Sequence, residues 1–341
     1  MSLCHKDGRT MDGQPVDFVI AWVDGNDKEW QRQRQKYTSG FTEDNSEVRF
    51  RDWDNLQYWF RGVEQYAPWV NNIYFITWGH VPQWLNLENP KLKIVNHKDY
   101  IPEKYLPTFN SHTIELNIHR IQGLSRQFVY FNDDMFLTAP VTKEMFFKNS
   151  LPRDTFALNV ICYGKDTAGL FNTNDMMVVN TYFDKVIQQK KYWKKWFHPN
   201  NGMKNVLRTA LLMPWRWFGG FYYGHLPECY LKDTLEEVWE KEGTTLDFTC
   251  QSRFRENSNV NQWVFKYWQL AKGTFEPISW KRGKCFHIHE DVMPAVEAIR
   301  KQNYKMVCLN DTGATTEWEK KREEIKNAFQ EILPQKSSFE K

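Results

Sequence analysis

The chain has 341 residues, room for one large domain or two ordinary ones. Its 41% hydrophobic and 26% charged content excludes a disordered chain, and a net charge of +3 is too small for a nucleic-acid binder. Six scattered cysteines with no Cys-x-x-Cys pair point away from a disulfide scaffold or a zinc site and towards a reducing compartment. No apolar run reaches the ~20 residues of a membrane span. The polar N-terminus has no signal-peptide core, so a cytoplasmic location is expected.

Residues 16–23 (VDFVIAWV) form a near-continuous apolar run that ends in Asp24-Gly25-Asn26-Asp27, the pattern of a buried strand entering an acidic turn. Residues 31–48 are polar without periodicity and predict a loop. Asp54 opens a helix with Leu56, Trp59 or Phe60, and Val63 on one face, followed by Pro68. Residues 73–77 (IYFIT), closed by Gly79 and Pro82, predict a second strand, and 91–96 a third. A helix is expected over 111–122, striped by Ile114, Ile118 and Ile121. A fourth strand, FVYF, runs straight into Asn132-Asp133-Asp134. This alternation predicts an α/β fold with a doubly wound, mostly parallel, Rossmann-like sheet plus helical and irregular additions. One domain is expected, with an α/β core over 16–150, a less regular region over 151–285 and a C-terminal segment over 286–341.

Residues 183–197 interleave five lysines with Tyr192, Trp193, Trp196 and Phe197, and 214–225 are rich in aromatics and glycine. Either stretch could touch a membrane surface or a long anionic chain; a solvated helix and a packed loop are the plainer reading. Asp291 caps a helix carrying Val292, Val296 and Ile299, and a Thr316/Glu319 capping box opens the last helix. The 16 Trp, 15 Tyr and 24 Phe suit sugar rings, and they equally suit a core.

Two adjacent carboxylates repel and resist desolvation, so Asp133-Asp134 must face water, a cation or a ligand. The residues also suit an ordinary turn. Asp24, Asp27, Asp133 and Asp134 all follow strand ends, where ligands of α/β sheets bind. Glu115 and His119 are four apart on the expected helix and would share a face. The helix start at Asn110-Ser111 could receive a phosphate. His287-x-His289-Glu290-Asp291 looks metal-like but lacks a third ligand in evidence. Asn310-Asp311 repeats the Asn-Asp pairing after an apolar stretch. There is no Walker loop, nucleophile elbow or dinucleotide fingerprint. The residues alone indicate an α/β enzyme using several carboxylates, with Mg²⁺ as a candidate ion, on a phosphate-bearing ligand; a nucleotide-sugar transferase fits best.

Four blocks resemble the Stealth family of sugar-phosphate transferases: DFVIAWVDGND at 17–27; the segment from RFRDWDNLQYWF through LPTFNSHTIELNIHRI to FVYFNDDMFL, covering 49–137; GHLPECYLKD at 224–233 with SRFRENSNVNQW at 252–263; and CLND at 308–311. The resemblance implies a glycosyltransferase-like fold. It also implies transfer of a hexose-1-phosphate from a UDP-sugar to a hydroxyl of a growing surface polysaccharide, with release of UMP. By motif it implies catalytic roles for Glu115, Asp134, His225, Arg255 and Asp311. Asp24, Gly25, Asp27, Arg51, Asn110, His119 and Asn132 are assigned to substrate, and Asp133, Asp134 and Asp311 to Mg²⁺ or Mn²⁺. The general base stays open between His225 and a carboxylate. The animal member reads Thr-Asn-Gly-Gln where this chain has Thr77-Trp78-Gly79-His80. Its large insertions and membrane spans are missing here, which points to the bacterial branch. The alternatives are a metal-dependent glycosyltransferase releasing UDP and an inactive glycan-binding protein on the same fold.

Overall fold

Apolar runs without alternation need cover on both faces, and the first strands are used that way. The computed structural model describes residues 13–38, 53–162, 169–288, 291–311 and 316–341. Four parallel strands, β1 (Val16–Ala21), β2 (Ile73–Thr77), β3 (Leu92–Asn96) and β4 (Gln127–Asn132), line up in the order β3-β2-β1-β4. At the β4 edge the sheet is completed by an antiparallel strand, β8 (Glu228–Leu231). The register puts Ala21 beside Asn132, so β1 and β4 leave the sheet side by side.

A second sheet stands where β4 ends. It joins β5 (Met135–Leu137) antiparallel to β11 (Met306–Asp311), which runs parallel to β10 (Gly283–Ile288). A small third sheet orders β6 (Phe147–Lys148), β7 (Leu151–Asp154) and β9 (Glu276–Pro277). One face of the main sheet buries Phe18, Ile20 and Phe131 against α2 (Leu56–Tyr66), α10 (Met293–Arg300) and α11 (Trp318–Ile332). The other buries Val19, Ile76 and Tyr130 against α4 (Ser111–Leu116), α8 (Lys232–Gln251) and α9 (Trp263–Lys272). A third, aromatic cluster of Phe156, Trp196, Phe221 and Phe275 knits α5 (Gly169–Tyr182) and α6 (Lys185–Trp196) to α9. Trp59, Trp196 and Trp268 are fully buried, so much of the aromatic content fills cores. α7 (Met203–Leu212) stays largely exposed, and the short α3 (His97–Tyr100) follows β3.

Several local expectations change. The loop expected from residue 31 begins as a helix, α1 (Lys28–Gln35), in which only Trp30 is buried; one apolar anchor leaves no periodicity to read. Its cap is Asp27, whose carboxylate accepts from the Trp30 N–H at 2.7 Å. α2 starts at Leu56 behind Asn55, and Asp54 lies outside it at φ +50°. The helix expected over 111–122 stops at Leu116 and gives way to a 3-10 turn over Ile118–Arg120. α11 starts at Trp318 with left-handed Glu317 before it and no side-chain cap, so the Thr316/Glu319 box does not form. Asp291 accepts from the Met293 N–H at 2.9 Å, but from one residue before the N-cap position, which Val292 holds.

Candidate active site

The turn from β4 to β5 presents Asp133 to solvent and turns Asp134 inward. The Leu309 N–H donates to the Asp134 carbonyl at 2.8 Å, which ties this turn to β11. One carboxylate oxygen of Asp134, Oδ2, accepts from the Cys308 thiol at 3.3 Å and lies 3.8 Å from His225 Nε2. The other, Oδ1, is buried with no protein partner.

His225 sits on the loop entering β8 at φ +46°, a left-handed conformation costing a non-glycine residue about 1 kcal/mol. Its ring meets Trp263 edge-on at 5.9 Å. Burial pushes the imidazole pKa down, but the hydrogen bond and charge of Asp134 outweigh it, and the net shift is upward.

The second half of the site is built on α4. Glu115 is 6% exposed and accepts from the Tyr130 hydroxyl at 3.4 Å. Burial raises its carboxyl to about 7, against the opposing pull of Arg255, Tyr130, Ser111 and His225. Arg255 donates from Nε and Nη2 to Ser111 Oγ at 3.1 and 2.5 Å.

Asn110 explains why Arg255 lies there. Its side-chain oxygen caps α4 at the His112 N–H (3.0 Å), and its amide donates to Asn259 Oδ1 (2.9 Å) and the Ser252 carbonyl (3.2 Å). Asn259 also accepts from the Glu256 N–H at 3.0 Å, so the loop carrying Arg255 is pinned to the helix carrying Glu115. Asn110 is therefore engaged with protein on both sides of its amide. Tyr130 and Asn259 were not singled out from the sequence, and Ser111 was read only as part of a helix start for phosphate; their contacts become visible only once the two segments meet.

The remaining candidates are distributed as follows. Asp24 accepts from the Asn26 N–H at 2.9 Å, and its own N–H donates to His80 Nε2 at 2.7 Å. The Gly25 carbonyl accepts from Gln31 at 2.7 Å. Asp27 caps α1 and lies 3.8 Å from His80 Nδ1. Asn132 is the half-buried last residue of β4.

His119 packs against Trp239 at 5.9 Å, and burial together with Arg120 and Lys232 lowers its pKa to about 3. Because α4 ends before it, the helix face expected to join Glu115 and His119 does not form. Asp311 closes β11 and accepts from Trp53 Nε1 at 3.3 Å. Arg51, His289 and Glu290 lie outside the described residues.

Among the described residues, the side chains that converge as a metal-type cluster are Asp134, His225 and Cys308, their ligand atoms all within 4.8 Å of one another. Asp133 and Asp311 are not in it. Cys308 heads the CLND block, but its neighbour Cys285 is 23 residues away in sequence, and only the β10–β11 register pairs them.

The sequence matches two family models: Stealth protein CR1, conserved region 1, over residues 14–42, and Stealth protein CR2, conserved region 2, over 49–154. It is 38% identical over 331 residues to a capsular polysaccharide phosphotransferase, WcwK, of Streptococcus pneumoniae, covering 96% of this chain and 98% of that one. It is also 38% identical to an exopolysaccharide phosphotransferase, cps2G, of Lactiplantibacillus plantarum, covering 96% of each. A looser likeness is to the crystal structure of the galactosyltransferase LgtC with donor and acceptor sugar analogues. It has a TM-score of 0.38 and 8% identity over 91% of this chain and 95% of that one, so the fold description rests on strand order instead. The matched regions and the full-length relatives place this chain in the Stealth family, and it is an enzyme of the transferase class.

Proposed function

We propose that this enzyme transfers a hexose-1-phosphate from a UDP-sugar to a hydroxyl of a growing surface polysaccharide, forming a phosphodiester and releasing UMP. The observation that carries this reading is the meeting of Arg255 and Glu115 with the His225–Asp134 pair, in a chain so similar to named polysaccharide phosphotransferases. The acceptor oxygen attacks the phosphorus bonded to the sugar, and that phosphorus loses its bridging oxygen to UMP. The anomeric C–O bond stays intact, so the sugar keeps its configuration.

Such transfer depends on positioning and charge neutralisation. Arg255 offers a planar fork to the phosphate oxygens while Ser111 and Glu115 orient it. His225 takes the hydroxyl proton, and the adjacent Asp134 carboxylate stabilises the imidazolium that forms. Mg²⁺ or Mn²⁺, where bound, would neutralise the donor diphosphate. Asp134, with Asp133 or Asp311, would hold it, and the unpartnered Asp134 Oδ1 suits an ion that takes one or two carboxylates plus phosphate oxygens. Asp24 would lie near the donor.

The proposal extends to peripheral membrane contact. Among the described residues no helix is long and apolar enough to cross a bilayer. Exposed Ile187, Trp193, Trp215 and Trp217 sit among lysines and arginines, which favours an anionic surface. Absence of co-flotation with anionic liposomes at low salt would remove that part.

Incubation with UDP-sugars and an oligosaccharide acceptor tests the main reading through the nucleotide released. UMP is expected; UDP would make the enzyme a conventional glycosyltransferase.

A further inference from the structure

We infer that the catalytic centre is also a binding site for a borderline divalent cation of the Zn²⁺ type, held by Asp134, His225 and Cys308. Asp134 Oδ2 stands 3.3 Å from Cys308 Sγ and 3.8 Å from His225 Nε2, and all three ligand atoms fall within 4.8 Å. Zinc bonds of about 2.0 Å to oxygen and nitrogen and 2.3 Å to sulfur put tetrahedral neighbours roughly 3.3 Å (N–O) to 3.5 Å (S–N or S–O) apart. The donors are therefore close to ligand spacing already.

Cys285 stands beside this set without joining it. Cys285 on β10 lies directly opposite Cys308 on the parallel strand β11, and its thiol is in hydrogen-bond contact with that of Cys308. Cys308 is fully buried, and the Leu309–Asp134 backbone bond fixes its strand against the Asp134 turn. A mixed sulfur, nitrogen and oxygen set selects Zn²⁺ over Mg²⁺, which takes oxygen ligands and keeps its waters. Binding would release the thiol proton, so it strengthens as pH rises.

One consequence rests on the proposed function. A zinc-bound His225 has no lone pair left for the acceptor proton, so the ion blocks turnover.

The decisive experiment is titration of the reduced, metal-free full chain with Co²⁺, followed by Zn²⁺ displacement. The wild type is expected to show a thiolate-to-cobalt charge-transfer band that Cys308→Ser abolishes and Cys162→Ser, at an exposed thiol, retains. His225→Gln should weaken Zn²⁺ binding by about 100-fold or more, since even outer-shell partners are worth about 10–100-fold. Circular dichroism and melting midpoints check that each variant folds. If Cys308→Ser does not fold, His225→Gln, at a partly exposed position, carries the test. No band in the wild type, or an unchanged band in Cys308→Ser, overturns the site. A wild-type band without loss of turnover upholds the site and removes His225 from its proposed role as base.

Discussion

β1 and β4 run side by side and both end in acidic turns, yet the carboxylates at the two exits are used differently. At the β1 exit they are occupied locally: Asp24 accepts from the Asn26 N–H and Asp27 from the Trp30 N–H. The nearby chain has free backbone donors because a helix starts there. At the β4 exit no helix follows. The chain turns into β5, and Asp134 meets groups from distant segments, Cys308 and His225, with Oδ1 unpartnered. A strand-end carboxylate is thus available for chemistry when local N–H groups do not consume it. The same comparison explains why α1 went unread: the acidic turn that suggested a ligand site is also that helix's cap.

The strongest way to break this contrast is Asp134→Asn. Turnover should fall by about 10²–10³-fold, as for removal of a preorganised electrostatic group. The fold should persist, because the Asp134 link to β11 is through its backbone. Near-normal turnover with a native circular-dichroism spectrum would place the β4 exit with the β1 exit.

His225→Asn should cost about 10²-fold or more, the usual range for a positioned general base. Because Asp134 and its neighbours raise the His225 pKa above its ordinary value of 6.5, the wild-type rate should climb with pH through an ionisation above that value. The climb should vanish in the variant. An unchanged pH–rate profile in His225→Asn would transfer the base role to a carboxylate.

Glu115 sharpens the comparison through stability. Its folded pKa of about 7 exceeds the ordinary 4.5, so between those values the folded state holds a proton that the unfolded state has lost. This group's contribution to stability therefore falls as pH rises from about 4.5 to about 7. Glu115→Gln removes that fall, so its melting midpoint should gain on the wild type across the window. A pH-independent gap between the two would mean that the carboxyl titrates normally.

The smallest effect belongs to the β1 exit. Asp27→Ala should lose about 1 kcal/mol of stability in urea unfolding, the usual size of an N-cap. Its turnover should suffer far less than that of Asp134→Asn. An equally large catalytic loss would show that Asp27 serves the donor as well as the helix.

Short-range patterns determine what was legible. Runs such as VDFVIAWV and FVYF read as buried strands because they are almost continuously apolar, and strand–helix alternation predicted that β1 to β4 run parallel, though not their order β3-β2-β1-β4. The β4 exit was legible as a site because adjacent carboxylates after a strand need a reason to be there.

Tertiary structure alone decided which carboxylates are free, how early α4 ends, and how Asn110 and Asn259 bring Arg255 to Glu115. It also decided that Cys285 and Cys308, scattered in sequence, stand side by side next to Asp134. The physical reason is reach: helix and strand signals come from neighbours within a few residues, whereas these contacts depend on register and on loops that close only after the sheets have packed.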